Sequence, residues 1–336
     1  MQVVSGIANN GCHAISGPGA YEWWYADVLS DNGEWGIVVI LFRGMPMSPT
    51  YLKNPHSIMA GCAVSIYHHG TRIAFSFSEQ PLTQATYQEY SVDVAMKGAR
   101  LHVAEDGALH VHASVPCDAD GRSVCVDFHT GPLDRSVAKQ DEIDDVHAWV
   151  LAAPRVQAHA AFTIQERDEV VCAVSFNAML YHDHNLGRRA MHHDYHDWYW
   201  GRVHTDATTY VFLSTPRSAD TGSYVYEISP EGRVVPWSQV EITYTEPAVT
   251  LMGLVCKKTV SLRGRNSEGV MQQLECRNTT ACEDGPFYQR YISEWLLDGT
   301  PCGQGMSEYM DVARMESAWI RPFLRLPLLS LSDDQA

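Results

Sequence analysis

The chain has 336 residues, a formal net charge of −16 and 45% apolar side chains. That charge argues against nucleic acid, because no basic stripe exists to meet phosphates. It also opposes electrostatic docking on anionic lipid. No run of about 18 apolar residues is present, so no segment reads as a membrane span and any membrane contact is expected to be peripheral.

The first 19 residues show neither a basic nor an apolar leader region, so no signal peptide is expected and the chain reads as cytoplasmic. The nine cysteines are odd in number, widely spaced and never C-x-x-C. Reduced, mostly buried thiols are the expectation.

In chain order, residues 21–28 and 35–42 are aromatic or β-branched runs around Asp31-Asn32-Gly33, which predicts a hairpin. After a Pro- and Met-rich loop at 44–55 come strands at 62–68 and 72–78 around His69-Gly70. Further short strands are predicted at 90–94, 99–104, 108–115 and 123–129, punctuated by turns at 105–107 and 118–121. The acidic run 141–145 reads as a solvated linker. Strands resume at 156–165, 210–215, 224–228, 240–245 and 257–262. The best helix candidate is 311–319, and it is short. Strands at this spacing predict an all-β barrel or sandwich. The length suits two barrel-like halves meeting near 135–150.

The densest chemistry lies in Tyr181-His182-Asp183-His184-Asn185-Leu186-Gly187, after a mostly apolar strand at 173–180. If that strand continues through Asn185, Tyr181, Asp183 and Asn185 share one face, and His182 and His184 the other. A carboxylic acid beside a phenol and an amide, at the end of an apolar strand, is a candidate proton donor. His147 with Trp149, and Trp198 with Trp200, are further period-2 pairs. In Glu22-Trp23-Trp24-Tyr25, Glu22 and Trp24 share a face. The run reads as barrel core or as the wall of a pocket for a long apolar ligand. A glutamate on an aromatic face is unusual unless hydrogen-bonded or functional.

His182, His184, His192, His193 and His196, with Asp183 and Asp194, suggest a metal, since H-x-H on a strand face can hold zinc. Their spacing fits no zincin or zinc-finger pattern, and residues 192–196 read as a polar loop. No metal is expected. No G-x-S-x-G, P-loop or Rossmann glycine pattern is present, which argues against serine hydrolysis and nucleotide cofactors.

Several motifs occur together in order: Glu22-Trp23-Trp24-Tyr25, His147-Ala148-Trp149, Ala153-Pro154-Arg155 and the 181–187 segment. They continue with Trp198-Tyr199-Trp200-Gly201-Arg202, Gly285-Pro286-Phe287-Tyr288 and Ser307-Glu308-Tyr309. In this the chain resembles the carotenoid 1,2-hydratase (hydroxyneurosporene synthase) family. That family shares a lipocalin-like double-barrel superfamily with lipocalin-like Diels–Alderases.

The resemblance implies an all-β fold of two lipocalin-like barrels, residues 1–140 and 141–336, with a cleft between them. It implies cofactor-free addition of water to the C=C bond of a hydrophobic polyene or isoprenoid. The family's H-x-W and Y-x-D pairs carry over to His147, Trp149, Tyr181 and Asp183. On that basis Asp183 is the proton donor, kept neutral by burial. Tyr181 is its catalytic neighbour and His147 the base or relay. Trp24, Trp149 and Trp200 form a cation-stabilising wall. Glu22, Asn185 and Trp198 complete the substrate-binding set.

Two departures from the family pattern, Leu186 before the glycine and the apolar strand at 210–215, imply an altered pocket. They keep an intramolecular cyclase or Diels–Alderase in view. A lipocalin-like carrier of an apolar ligand is the third reading.

Overall fold

A computed structural model describes residues 1–54, 56–89, 91–117, 121–133, 141–218, 222–320 and 328–330. The chain forms two compact units. The first comprises Met1–His68, Arg72–Met191 and Leu324–Ala336, and the second His69–Thr71 and His192–Phe323.

The strands of the first unit begin with β1 (Gln2–Ser5), β2 (Tyr21–Leu29), β3 (Trp35–Arg43), β4 (Met59–His68) and β5 (Thr71–Pro81). They continue with β6 (Thr86–Tyr87), β7 (Asp93–Met96), β8 (Ala99–Val103), β9 (Ala108–Pro116), β10 (Arg122–Pro132), β11 (His147–Glu166) and β12 (Glu169–Gly187). The second unit holds β13 (Asp197–His204), β14 (Thr209–Ser214), β15 (Ser223–Ile228), β16 (Val234–Pro236) and β17 (Ser238–Val249). It ends with β18 (Val255–Arg265), β19 (Met271–Asp284), β20 (Tyr288–Leu297) and β21 (Thr300–Asp311). A short β22 (Leu328–Ser330) returns to the first sheet beside β5.

Each unit is a curled, mostly antiparallel sheet, as expected of lipocalin-like halves. The first runs β22-β5-β4-β3-β2-β12-β11-β10-β9-β8-β7-β6, with β1 parallel to β11. The second runs β16-β15-β14-β13-β21-β20-β19-β18-β17. The longest described helices have five residues, and none is long and apolar enough to cross a membrane.

Local chemistry explains the hairpins. His69 and Gly70 both take positive φ (48° and 74°), the two-residue turn that matches strand twist between β4 and β5. In the first unit alternate residues point inward. Trp24, Ala26 and Val28 of β2, Val39 and Leu41 of β3, and Leu180 and Leu186 of β12 build one buried apolar cluster. The second unit has its own, around Tyr199, Phe212, Trp237, Trp295 and Tyr309.

The compact units divide at Met191/His192, and β11 and β12 form a long hairpin within the first sheet. Several sequence expectations change. The acidic run is no free linker: Asp141 exchanges hydrogen bonds with the buried side chain of Asn9, and Asp145 pairs with the N-terminal amine. The helix expected at 311–319 is the end of β21 followed by a 3₁₀ turn, Val312–Glu316, capped by Asp311. Tyr90, at the start of one expected strand, and residues 118–120 lie outside the described residues.

Candidate active site

The strand through Asp183 does continue to Gly187, so Tyr181, Asp183 and Asn185 share a face. Their side chains meet. Asp183 Oδ2 accepts from the Tyr181 hydroxyl at 2.8 Å, and Oδ1 accepts from the Asn185 amide at 3.0 Å. A third donor crosses from β11: the Trp149 indole N–H reaches Oδ2 at 2.7 Å. Asp183 is 3% exposed, Trp149 1% and Tyr181 0%.

The register shows how β11 permits this. Val150 pairs with His184, Ala153 with His182, and Val156 with Leu180. Two residues of β11 therefore stand opposite Asp183 alone, and two more, Pro154 and Arg155, opposite Tyr181 alone. These are successive bulges. Pro154 has no N–H to offer the ladder, and a bulge tolerates it. The bulges interrupt the pairing directly beside Asp183 and Tyr181.

On the other side, β2 pairs with β12 so that Tyr25 faces Asp183, Trp23 faces Asn185, Tyr21 faces Gly187 and Asp27 faces Tyr181. Tyr21 stacks on Trp23 (4.9 Å, 15°), and Tyr25 meets Tyr181 edge-on at 6.2 Å. Asp27 is fully buried on this same face. Sequence reading missed Tyr21, Trp23, Tyr25 and Asp27 because it followed the Glu22/Trp24 face. Their own period-2 spacing was the available signal.

His147 is bound to Tyr21, its Nδ1 2.9 Å from the hydroxyl, with the rings stacked at 5.9 Å. Gly187 lies opposite His147. A Cβ there would come within 2.4 Å of the Tyr21 ring and 2.6 Å of His147 Nδ1. Only glycine admits both rings.

Glu22 and Trp24, expected beside Asp183, lie on the opposite face. Trp24 is 0% exposed within the core, donates to the Asn10 carbonyl at 2.9 Å and stacks on His184 at 4.4 Å. Glu22 Oε2 accepts from the His13 N–H and Oε1 from the Ile15 N–H. Burial, the largest influence on Glu22, opposes its charge. His184, the His13 N–H and Arg43 together outweigh it and hold the carboxyl below its ordinary range. Leu186 also belongs to the core, so this departure from the family pattern leaves the Asp183 face unchanged.

The five histidines between 182 and 196 are divided between the two units, His182 and His184 in the first and the other three in the second. His182 bonds Asn10 and the Tyr25 carbonyl, and burial pushes it down to about 4. His192 and His193 lie on a 3₁₀ turn of the second unit. Trp198 and Trp200 also belong to that unit, on β13, with Trp200 buried and Trp198 half-buried.

The first sheet thus carries a buried carboxyl group that accepts from three donors, in a chain that its relatives show to be an enzyme of the hydratase or cyclase type. The chain belongs to the carotenoid hydratase CrtC family, whose model matches residues 133–330. It is 26% identical to the hydroxyneurosporene dehydrogenase of Chlorobaculum tepidum, over 96% of this chain and 91% of that protein. It is 25% identical to the acyclic carotenoid 1,2-hydratase of Thiocapsa roseopersicina, over 84% and 66%. Among solved structures, an AttH-like protein of Nitrosomonas europaea superposes with a TM-score of 0.60 at 13% identity, covering 87% of this chain and 93% of that one. Kievitone hydratase of Nectria haematococca superposes at 0.50 and 10%, covering 91% and 92%. These two show the shared fold.

Proposed function

We propose that this enzyme adds water across a C=C bond of a hydrophobic isoprenoid or polyene, with Asp183 as the acid. The carrying observation is the set of three donors on Asp183. Protonating an alkene turns a neutral acid into a carboxylate while a carbocation forms. Donors aimed at that carboxylate stabilise the charge as it develops, which lowers the barrier rather than merely binding substrate.

The cation needs faces, not nucleophiles. Tyr21, Trp23 and Tyr25 supply aromatic rings on the same side of the sheet, worth about 0.5–2 kcal/mol each. Water then attacks the cation, and the oxonium loses a proton. That proton returns to the Asp183 carboxylate, with His147 and Tyr21 as the relay, and the acid is regenerated. Substrate and water account for every atom of the alcohol, and no electrons are transferred. The step therefore needs no cofactor. The relatives named acyclic carotenoid 1,2-hydratases supply the substrate class.

The test is turnover of an acyclic carotenoid in labelled water. Wild-type protein should yield the tertiary alcohol with solvent oxygen at the new carbinol and solvent deuterium on the neighbouring carbon. Asp183→Asn keeps the shape and still accepts the Trp149 and Tyr181 bonds. It should fold, bind the carotenoid and lose about 10²–10⁴-fold in rate. Deuterium without oxygen would mean an internal nucleophile, hence a cyclase. Neither label in the product, or more than a tenth of the rate in the variant, removes Asp183 from the acid role.

A further inference from the structure

Behind the sheet from Asp183, three side chains from separate segments converge inside the first unit. Glu22 points inward from β2, His184 from β12, and His13 from the loop before β2. One nitrogen of each imidazole and one oxygen of Glu22 lie within 4.8 Å of one another. Glu22 and His184 are completely out of solvent. All four ring nitrogens of His13 and His184 are buried, and none has a hydrogen-bond partner among the described residues. His184 Nε2 stands 3.4 Å from Glu22 Oε2, close enough for an ion pair but outside hydrogen-bond geometry. Buried polar atoms are normally satisfied, so two imidazoles with bare nitrogens, each with one nitrogen close to the same carboxylate, call for a missing partner.

The two oxygens of Glu22 are placed differently. Oε1 accepts from Ile15 N–H and faces Cys12 Sγ at 3.7 Å and Arg43 at 3.9 Å. Oε2 accepts from His13 N–H and faces the His184 imidazole. The guanidinium thus sits beside Oε1, and the His184 imidazole beside Oε2.

We propose that His13, Glu22 and His184 bind one divalent transition-metal cation of the zinc class as a structural cross-link. Two imidazoles and a carboxylate suit borderline cations of this kind. Zinc–nitrogen bonds of 2.0–2.1 Å in a tetrahedral shell put neighbouring ligand atoms about 3.3 Å apart. The Glu22–His184 pair already has that spacing, so His13 alone must close in. Trp24, stacked on His184 at 19° between planes, holds that ring in orientation. The cation ties the 12–15 loop to β2 and β12. Because the two faces of β12 are distinct, it takes no part in the hydration step. A survey of residues 182–196 alone misses the site, since the third ligand comes from the N-terminal loop.

The experiment uses the full chain without a histidine tag. It is stripped with chelator, dialysed and titrated with Zn²⁺, and separately with Co²⁺ as a spectroscopic probe. The expected result is one tight equivalent per chain and the visible bands of low-symmetry Co²⁺. At a hundredfold excess of Zn²⁺ over Kd, Tm should rise by roughly 5–10 °C. His13→Ala removes a ring that holds no hydrogen bond, so the variant should fold, which circular dichroism checks. It should lose both the spectrum and the Tm rise. The cluster of exposed His112 and Asp127 with half-buried Cys125 is the control: His112→Ala/Cys125→Ser should keep the tight equivalent. No stoichiometric binding to the stripped wild type, or tight binding that survives His13→Ala, overturns the proposal. Neither result bears on Asp183, whose test is turnover.

Discussion

The indole N–H of Trp149 donates to Oδ2 of Asp183 at 2.7 Å, from one strand to the next across a bulge. The sequence motif suggested Trp149 as an aromatic face for a cation. In the proposed mechanism its N–H would also stabilise the carboxylate of Asp183.

Trp149→Phe separates these roles. Phenylalanine keeps a ring and removes the donor. Loss of one preorganised donor typically costs about 10²–10³ in kcat. A fall of that order with KM little changed is the expected outcome of steady-state assays. A variant that keeps its kcat would return Trp149 to the role of a wall.

Gly187→Ala tests the His147 arrangement. The new methyl group would press on the Tyr21 ring and on His147 Nδ1. Displacing them by about 1 Å is enough to cost about 10²-fold in rate. Circular dichroism should show an intact fold, while the signature of the Tyr21–His147 bond in the proton NMR spectrum disappears. Full activity in Gly187→Ala would exclude this pair from the proton path.

The two neighbouring tryptophans of β2 should behave oppositely. Trp24 is buried in the core, so Trp24→Ala should destabilise by about 3–5 kcal/mol in denaturant melts. Trp23 is half-buried on the Asp183 face. Trp23→Ala should leave stability closer to wild type and raise KM for the carotenoid. The reverse pattern would invert the face assignment of β2.

Glu79 carries a pH dependence unrelated to the site. Burial raises its carboxyl above the ordinary 4.5, only partly offset by bonds from Ser48 and Thr50, and its Oε1 has no hydrogen-bond partner among the described residues. The folded chain thus holds this proton at pH values where the unfolded chain has released it. The associated stability is fully present below 4.5 and lost as pH rises through the raised folded value. Glu79→Gln removes the buried charge. Its Tm should exceed that of wild type at about pH 8, and the gap should shrink toward about pH 5. An equal gap at both pH values would rule out the charge as the cause.

How much of this was legible beforehand differs from residue to residue. Tyr181, Asp183 and Asn185 share a face because strand side chains alternate, a local rule that needs no knowledge of the rest of the chain. The hairpin at Asn32-Gly33 and the all-β character followed equally from local composition. The same alternation divided Glu22-Trp23-Trp24-Tyr25 into two sets. It did not say which set meets Asp183, since that depends on how β2 pairs with β12. The contact between His182 and the Tyr25 carbonyl spans 157 positions. Only the register of that pairing put Trp23, Tyr25 and Asp27 beside the acid, and Glu22 and Trp24 behind it. Trp149 reached Asp183 because the bulges at Pro154 shifted β11 against β12, an offset invisible to period counting. His13 joined Glu22 and His184 through the loop that caps that interior face. The sequence alone determined which side chains alternate together. Tertiary structure decided which alternating sets face each other, because strand partners are chosen by packing and hydrogen bonding between distant segments.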